Sequence, residues 1–301
     1  MEWARLTEET WRANASAHGA RVDGFVSSHL ARRKDHVKHP VHDFLFVYYN
    51  HRPAQLRRWH PGPGVVLEGG AEHYRDLKGY TTEGDDARLD PAYVAAQLGR
   101  VRTTRALLAA TASRTPNLGC FGLHEWAMVH RLSEDETRHA DWPLRLGATG
   151  TDEVVESHRI ACSHFDAYRF FTPTAVELNT LRPRSEDRVD FEQPACLHAN
   201  MDLYKVAFRL SPMVPSDLVA DCFELARDIR TLDMRAAPYD LSGLTDHDGQ
   251  TFTPVKIETP EGKREYAEHQ RRFAARSAPV RQRLIDECDR LLTVAPRSGN
   301  V

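Results

Sequence analysis

The segments PACLHANMDLYKVAFRLSP (194–212) and PSDLVADCFELARDIRTLDMRAAP (215–238) decide the fold class. Proline borders both. It lacks a backbone N–H and clashes in a helix interior, so it marks where a helix starts or stops. Between the borders neither segment holds a glycine or a further proline, and each is long enough for several turns. Two consecutive helices follow.

Working outward, the same punctuation recurs. Asp90 and Pro91 cap and open a helix through LDPAYVAAQLGRVRTTRALLAATA (89–112). Thr7 caps a helix to about Lys34, with Glu8 and Glu9 at its positive N-terminal end. Pro40 fits the first turn of a helix whose aromatic run to Asn50 is expected to be buried. TDEVVESH starts a helix near Thr151 or Asp152, and CSHFDAYRFF (162–171) reads as helix or strand. The tail from 258 is a long helix or a helix pair. VVLEG (65–69) and WPLRLG (142–147) read as short strands, and 71–90 and 180–194 as polar loops. The expected fold is mainly α, a single compact helical domain with a few short strands. It spans 1–301, with 1–35 an N-terminal helix and 260–295 a C-terminal helical segment packing on the domain.

Composition narrows the functional classes. The chain has 301 residues, a net charge of −3, and 28% charged residues. No apolar run approaches the roughly 18 residues of a membrane span. MEWARLTEETWR has no apolar stretch of the signal-peptide kind, so a cytoplasmic location is the expectation. Five cysteines without a CxxC exclude a zinc-finger or disulfide framework. The mild acidity disfavours a nucleic-acid partner, although Arg32, Arg33, Lys34, Lys38, Arg52, Arg57 and Arg58 form a local basic run. GxGxxG, GxxxxGK[ST] and GxSxG are all absent.

Histidine is abundant, at sixteen residues. Imidazole serves as metal ligand and as general base. GCFGLHEWAMVHR (119–131) holds His124, Glu125 and His130, but its histidines are six apart rather than four. On a regular helix they point about 120° apart, so they cannot chelate one ion as HExxH does. His198 and Asp202 are four apart on one helical face and can share an ion. His164 and Asp166 join them as candidates. The expected metal ligands are His124, His164, Asp166, His198 and Asp202, drawn from separate segments around one pocket. Glu125 and Asp233 are the candidate catalytic carboxylates. Tyr48, Tyr49, Arg52, Trp126 and Arg235 are candidate substrate contacts, the arginines for a carboxylate or phosphate. Mixed imidazole and carboxylate ligands suit iron, manganese or zinc. The reading is a metal-dependent oxidative or hydrolytic enzyme acting on a small polar or anionic molecule. A non-catalytic ligand-binding protein is an alternative, and the sequence leaves the oligomeric state open.

HPVHDFLFVYYNHRPAQLRRWHPGPGVVLEG (39–69), GCFGLHEWAMVHR, CSHFDAYRFFTP (162–173), CLHANMDLYKVAFRLSP (196–212) and ELARDIRTLDMRAAPYDL (224–241) together resemble an actinobacterial family labelled 3-methyladenine DNA glycosylase. The resemblance implies removal of alkylated bases without a metal. On that reading Asp202 or Asp233 would activate water. Tyr48, Tyr49 or Trp126 would stack on an extruded base, and the 32–58 basic run would hold phosphates. The LPGVG-type hairpin of helix-hairpin-helix glycosylases is absent, so no catalytic residue carries over by motif.

Overall fold

A computed structural model describes residues 3–133, 136–137, 141–246 and 249–294. The fold is mainly α. Its centre is the helix α11, Leu197–Leu210, antiparallel-linked through Ser211–Pro215 to α12, Ser216–Arg235. Buried positions of α11 include Leu197, Ala199, Asn200, Met201, Asp202, Leu203, Tyr204, Ala207 and Leu210. They surround the helix, which places it inside the core rather than on the surface. Asn200 and Asp202 are therefore carried inward with the leucines, and each must find polar partners there.

Two long helices close over this pair. α5, Pro91–Ser113, starts as the sequence predicts, with the Asp90 side chain accepting from the Ala92 N–H at 2.8 Å. α13, Pro260–Val294, runs 35 residues through Pro279 and packs on α5, α11 and α12. It is one helix rather than a pair, and residue 295 of the predicted segment lies outside the described residues. The N-terminal helix α1, Glu8–Lys34, is capped by Thr7, whose side chain accepts from the Thr10 N–H at 3.3 Å. Its buried positions Trp11, His18, Val22, Val26 and His29 recur every three to seven residues and form one stripe.

The strands make a single small sheet. β1 (Ala4–Leu6) lies parallel to β2 (Val65–Leu67), and β4 (Asp86–Leu89) pairs antiparallel with both β2 and β3 (Tyr80–Glu83). The stretch 71–90, expected as loop, holds α4 (Ala71–Tyr74) and this hairpin. Its turn is made by Gly84, at φ +59°, and Asp85. The alternation Tyr80, Ala87 and Leu89 inward against polar neighbours was the missed signal. The sheet covers a satellite core of Trp11, Trp59, Leu67 and Tyr74.

Short helices complete the chain: α2 (Phe44–Tyr48), α3 (Pro53–Leu56), α6 (Leu123–Ala127), α7 (Gly147–Ser157), α8 (Phe165–Tyr168), α9 (Pro173–Val176) and α10 (Arg188–Phe191). Four differences from the sequence reading have local causes. The aromatic run of α2 is only partly buried, and Val47 is 75% exposed. WPLRLG forms one isolated bridge, Leu144 to Tyr239, not a strand. α7 begins at Gly147, so Thr151 bonds the Gly147 carbonyl from inside the helix instead of capping it. α10 interrupts the expected loop at 180–194.

Candidate metal centre

Helix α12 places Arg230 and Asp233 one turn apart, both buried beneath α11. Opposite them the chain turns sharply into α6. Phe121 (φ +48°) and Gly122 (φ +71°) are both left-handed there. A Cβ on Gly122 would lie 3.3 Å from both Ala236 and the Tyr266 ring, so the left-handed backbone and the tight space both favour glycine. This turn aims His124 and Glu125 at α12. His124 Nε2 lies 2.9 Å from Asp233 Oδ1. Arg230 Nη1 donates to Glu125 Oε1 at 3.0 Å and to Asp233 Oδ2 at 2.7 Å. His198 completes the group from α11, its ring 4.4 Å from that of His124.

His124, Glu125, His198 and Asp233 each offer a ligand atom, and the four atoms lie within 4.8 Å of one another. An ion bound to N or O at about 2.0–2.2 Å holds tetrahedral ligands about 3.4 Å apart and opposite octahedral ones about 4.2 Å apart, so the four atoms must draw in to close the set. Glu125, His198 and Arg230 also line a cleft of about 20 Å³ with Phe44, Tyr48, Met128 and Phe170. That volume holds about one water.

Charges inside the group are strongly coupled. Burial alone would lower His124, but the Asp233 carboxylate outweighs it and holds the imidazole well above the usual histidine range. Burial, followed by His124, pushes His198 well below that range, so it stays neutral and offers a lone pair. Burial raises Glu125 against the pull of Arg230. Asp233 resists the same burial, held low chiefly by His124. On its outer side, His124 Nδ1 lies 3.7 Å from Cys120 Sγ.

A second polar network adjoins the first, the His164 and His198 rings being 5.5 Å apart. His164 Nε2 is 3.3 Å from Asp202 Oδ2 and 3.7 Å from Glu192 Oε1. Arg188 bridges the same carboxylates, at 2.5 Å to Glu192 and 3.0 Å to Asp202. Lys205 pairs with Asp166 and reaches Asp202 Oδ2 at 3.4 Å. The Tyr49 hydroxyl donates to Asp202 Oδ1 at 3.1 Å. Burial would raise Asp202, but His164, Lys205 and Arg188 pull it far below the carboxylate range.

The segments at 124–125, 164–166 and 198–202 therefore do meet, yet they divide between two networks. His124 and His198 join the metal-capable group. His164, Asp166 and Asp202 belong to the cation-filled one. Glu125 and Asp233, read as catalytic, supply carboxylates to the first group. Among the substrate candidates, Tyr48 lines the cleft, whereas Tyr49 is buried against Asp202. Trp126 is fully buried, its indole N–H donating to the Ala236 carbonyl at 2.8 Å. Arg235 is tied to the Thr253 carbonyl and Glu265. Arg52 is exposed ahead of α3. The sequence reading passed over Arg188, Glu192 and Cys120. The i, i+4 spacing of Arg188 and Glu192 was the available signal.

No helix among the described residues is long and apolar enough to cross a membrane. Comparison of the chain with protein-family models, curated proteins and solved structures finds no match.

Proposed function

We propose that this protein is a metal-dependent enzyme in which His124, Glu125, His198 and Asp233 hold a divalent iron, manganese or zinc ion. It acts oxidatively or hydrolytically on a small polar or anionic substrate. The observation that carries the reading is the convergence of four ligand atoms within 4.8 Å beside a cleft. An ion with this mixed nitrogen and oxygen set supplies Lewis acidity and activates bound water or an oxidant.

The chain's own residues have separable tasks on this reading. Arg230 bridges the two carboxylates and offsets their mutual repulsion. Cys120 lies behind His124 at Nδ1, and Nε2 faces Asp233, so an ion bound at Nε2 would take the place of the proton those two groups share. Phe44, Met128 and Phe170 line the cleft beside Glu125 and His198 and limit water there. Elemental analysis of purified, untagged protein tests the reading. Near-stoichiometric iron, manganese or zinc, lost in His198→Ala, is the expected result. Protein prepared without chelator that carries no metal would sink it.

A second reading is metal-independent glycosidic hydrolysis, as the sequence resemblance implies. It is favoured by one observation: Asp233, Glu125, His124 and Arg230 form a hydrogen-bonded set whose two carboxylates and two cations balance without an ion. Release of alkylated bases from methylated DNA, abolished by Asp233→Asn and insensitive to chelator, would establish it in place of the first.

A further inference from the structure

A cleft of about 750 Å³ lies between the end of α1, the turn at 36–40, α2 and the pair Asp141–Trp142. Its volume suits a small organic molecule. Phe44 lines both this cleft and the small one on Glu125 and His198. It is the wall between them, and the Arg230 guanidinium lies 3.9 Å from its ring centre.

The lining has two chemical halves. Arg33 and Lys38 are exposed at the rim, and among the described residues neither side chain has an ion-pair or hydrogen-bond partner. The inner carboxylate, Asp43, is already committed to Arg32, to His29 and to the His39 N–H. Asp141 is the remaining acidic residue of the lining, so the cleft keeps a positive balance. Burial and the neighbouring His42 lower His39 to about 4, which leaves it neutral. The other half is apolar: Phe44, Phe46, Val37, Val47 and Trp142. Val47 and Val37 are the most exposed large apolar residues described, at 75% and 55%. Bare valines beside uncommitted cations match a molecule with an apolar body and an anionic head.

We infer that this cleft binds a small amphipathic carboxylate. Its head meets Arg33 and Lys38, and its apolar body lies over Val47 and Trp142 toward Phe44. Such a molecule is the substrate class of the neighbouring centre; that clause rests on the metal-enzyme reading, whereas the binding does not.

Isothermal titration calorimetry with 4-phenylbutyrate tests it on the full chain, both as purified and after chelator treatment. One-to-one saturable binding is expected in both preparations. The R33Q/K38Q double variant should weaken it about tenfold at low salt, and 4-phenylbutylamine should bind at least about tenfold more weakly. Both substituted side chains are exposed, so the variant should fold. No saturation up to about 10 mM, or affinity unchanged in R33Q/K38Q, overturns the inference. So does inorganic phosphate binding as tightly as the carboxylate. A single-stranded oligonucleotide that binds more tightly through the same two cations overturns it in favour of a nucleic-acid surface. Metal-free protein that still binds 4-phenylbutyrate would separate a failed metal reading from this one. Metal-loaded protein that does not bind it would do the reverse.

Discussion

The two polar networks that meet at His198 are made of the same residue types and differ in what neutralises them. Around Asp202, three carboxylates face the cations of Arg188 and Lys205, and a tyrosine hydroxyl takes the remaining oxygen of Asp202. Around Asp233, two carboxylates share the single guanidinium of Arg230, and two imidazoles point at them. One wall of that second group opens on a cleft that Asp166 of the first also lines. A buried carboxylate must be compensated somehow. Both networks do this with side chains, the second through Arg230 and the protonated His124; what sets the second apart is that four ligand atoms converge within 4.8 Å.

The largest expected effect breaks the comparison if it fails. Asp202→Asn removes the shared anion of the first network and leaves Arg188 and Lys205 with one carboxylate each, Glu192 and Asp166. Stability should fall by about 3–5 kcal/mol, read from the urea midpoint. The metal content of the protein that remains folded should be unchanged, whereas Asp233→Asn should empty it. If Asp202→Asn also loses the metal, the two networks are one site.

How much of this was legible in the sequence depends on chain separation. The helices could be read because proline borders and caps are local signals, as at Asp90–Pro91 and Thr7. The hairpin at 80–89 was missed because its alternating pattern covers only four residues per strand. His198 and Asp202 were correctly placed one turn apart, but spacing cannot say which neighbour each meets. Helix α12 claims the first, and Arg188 and Lys205 claim the second. The contact that defines the centre, His124 to Asp233, joins residues 109 apart. Only packing of α6 against α12 creates it, so no motif announces it.

Arg230 is the point at which the second network most resembles the first, since its guanidinium already stands between the carboxylates. Arg230→Gln removes the resident cation and should tighten metal binding at least about tenfold, measured by competition with a chromophoric chelator. Without metal the same variant should be less stable than the parent, because Glu125 and Asp233 then repel each other. Weaker metal binding would mean that the guanidinium organises the ligands rather than competing with the ion.

Acidity should separate the networks as well. His124 is held above the ordinary histidine range, so it is protonated at neutral pH and an ion at Nε2 must displace that proton. Below the raised pKa, metal affinity should therefore rise about tenfold for each pH unit. His198 is held low and contributes no further proton. Metal-free stability runs the other way: the part due to the His124–Asp233 pair is present below the unfolded histidine pKa and is lost as pH rises through the folded one. Metal affinity that stays flat between about pH 6 and 8 would remove His124 from the ligand set.

The smallest effect concerns the sulfur beside each network. Cys120 Sγ lies 3.7 Å from the ring nitrogen of His124, whereas Cys162 Sγ donates to the backbone carbonyl of His164 at 3.7 Å. Only the first contact bears on the orientation of an imidazole. A partner to the outer nitrogen of a metal-bound histidine fixes its ring and tautomer, and losing one costs about tenfold or more in affinity. Cys120→Ser keeps an acceptor of shorter reach and should weaken metal binding about threefold, with Cys120→Ala nearer tenfold. Cys162→Ser changes a buried side chain of similar size and should leave metal affinity untouched, although it lowers stability. Equal losses in Cys120→Ser and Cys162→Ser would trace the effect to packing. A loss confined to Cys120 places the sulfur behind His124 as part of the centre, with no counterpart behind His164.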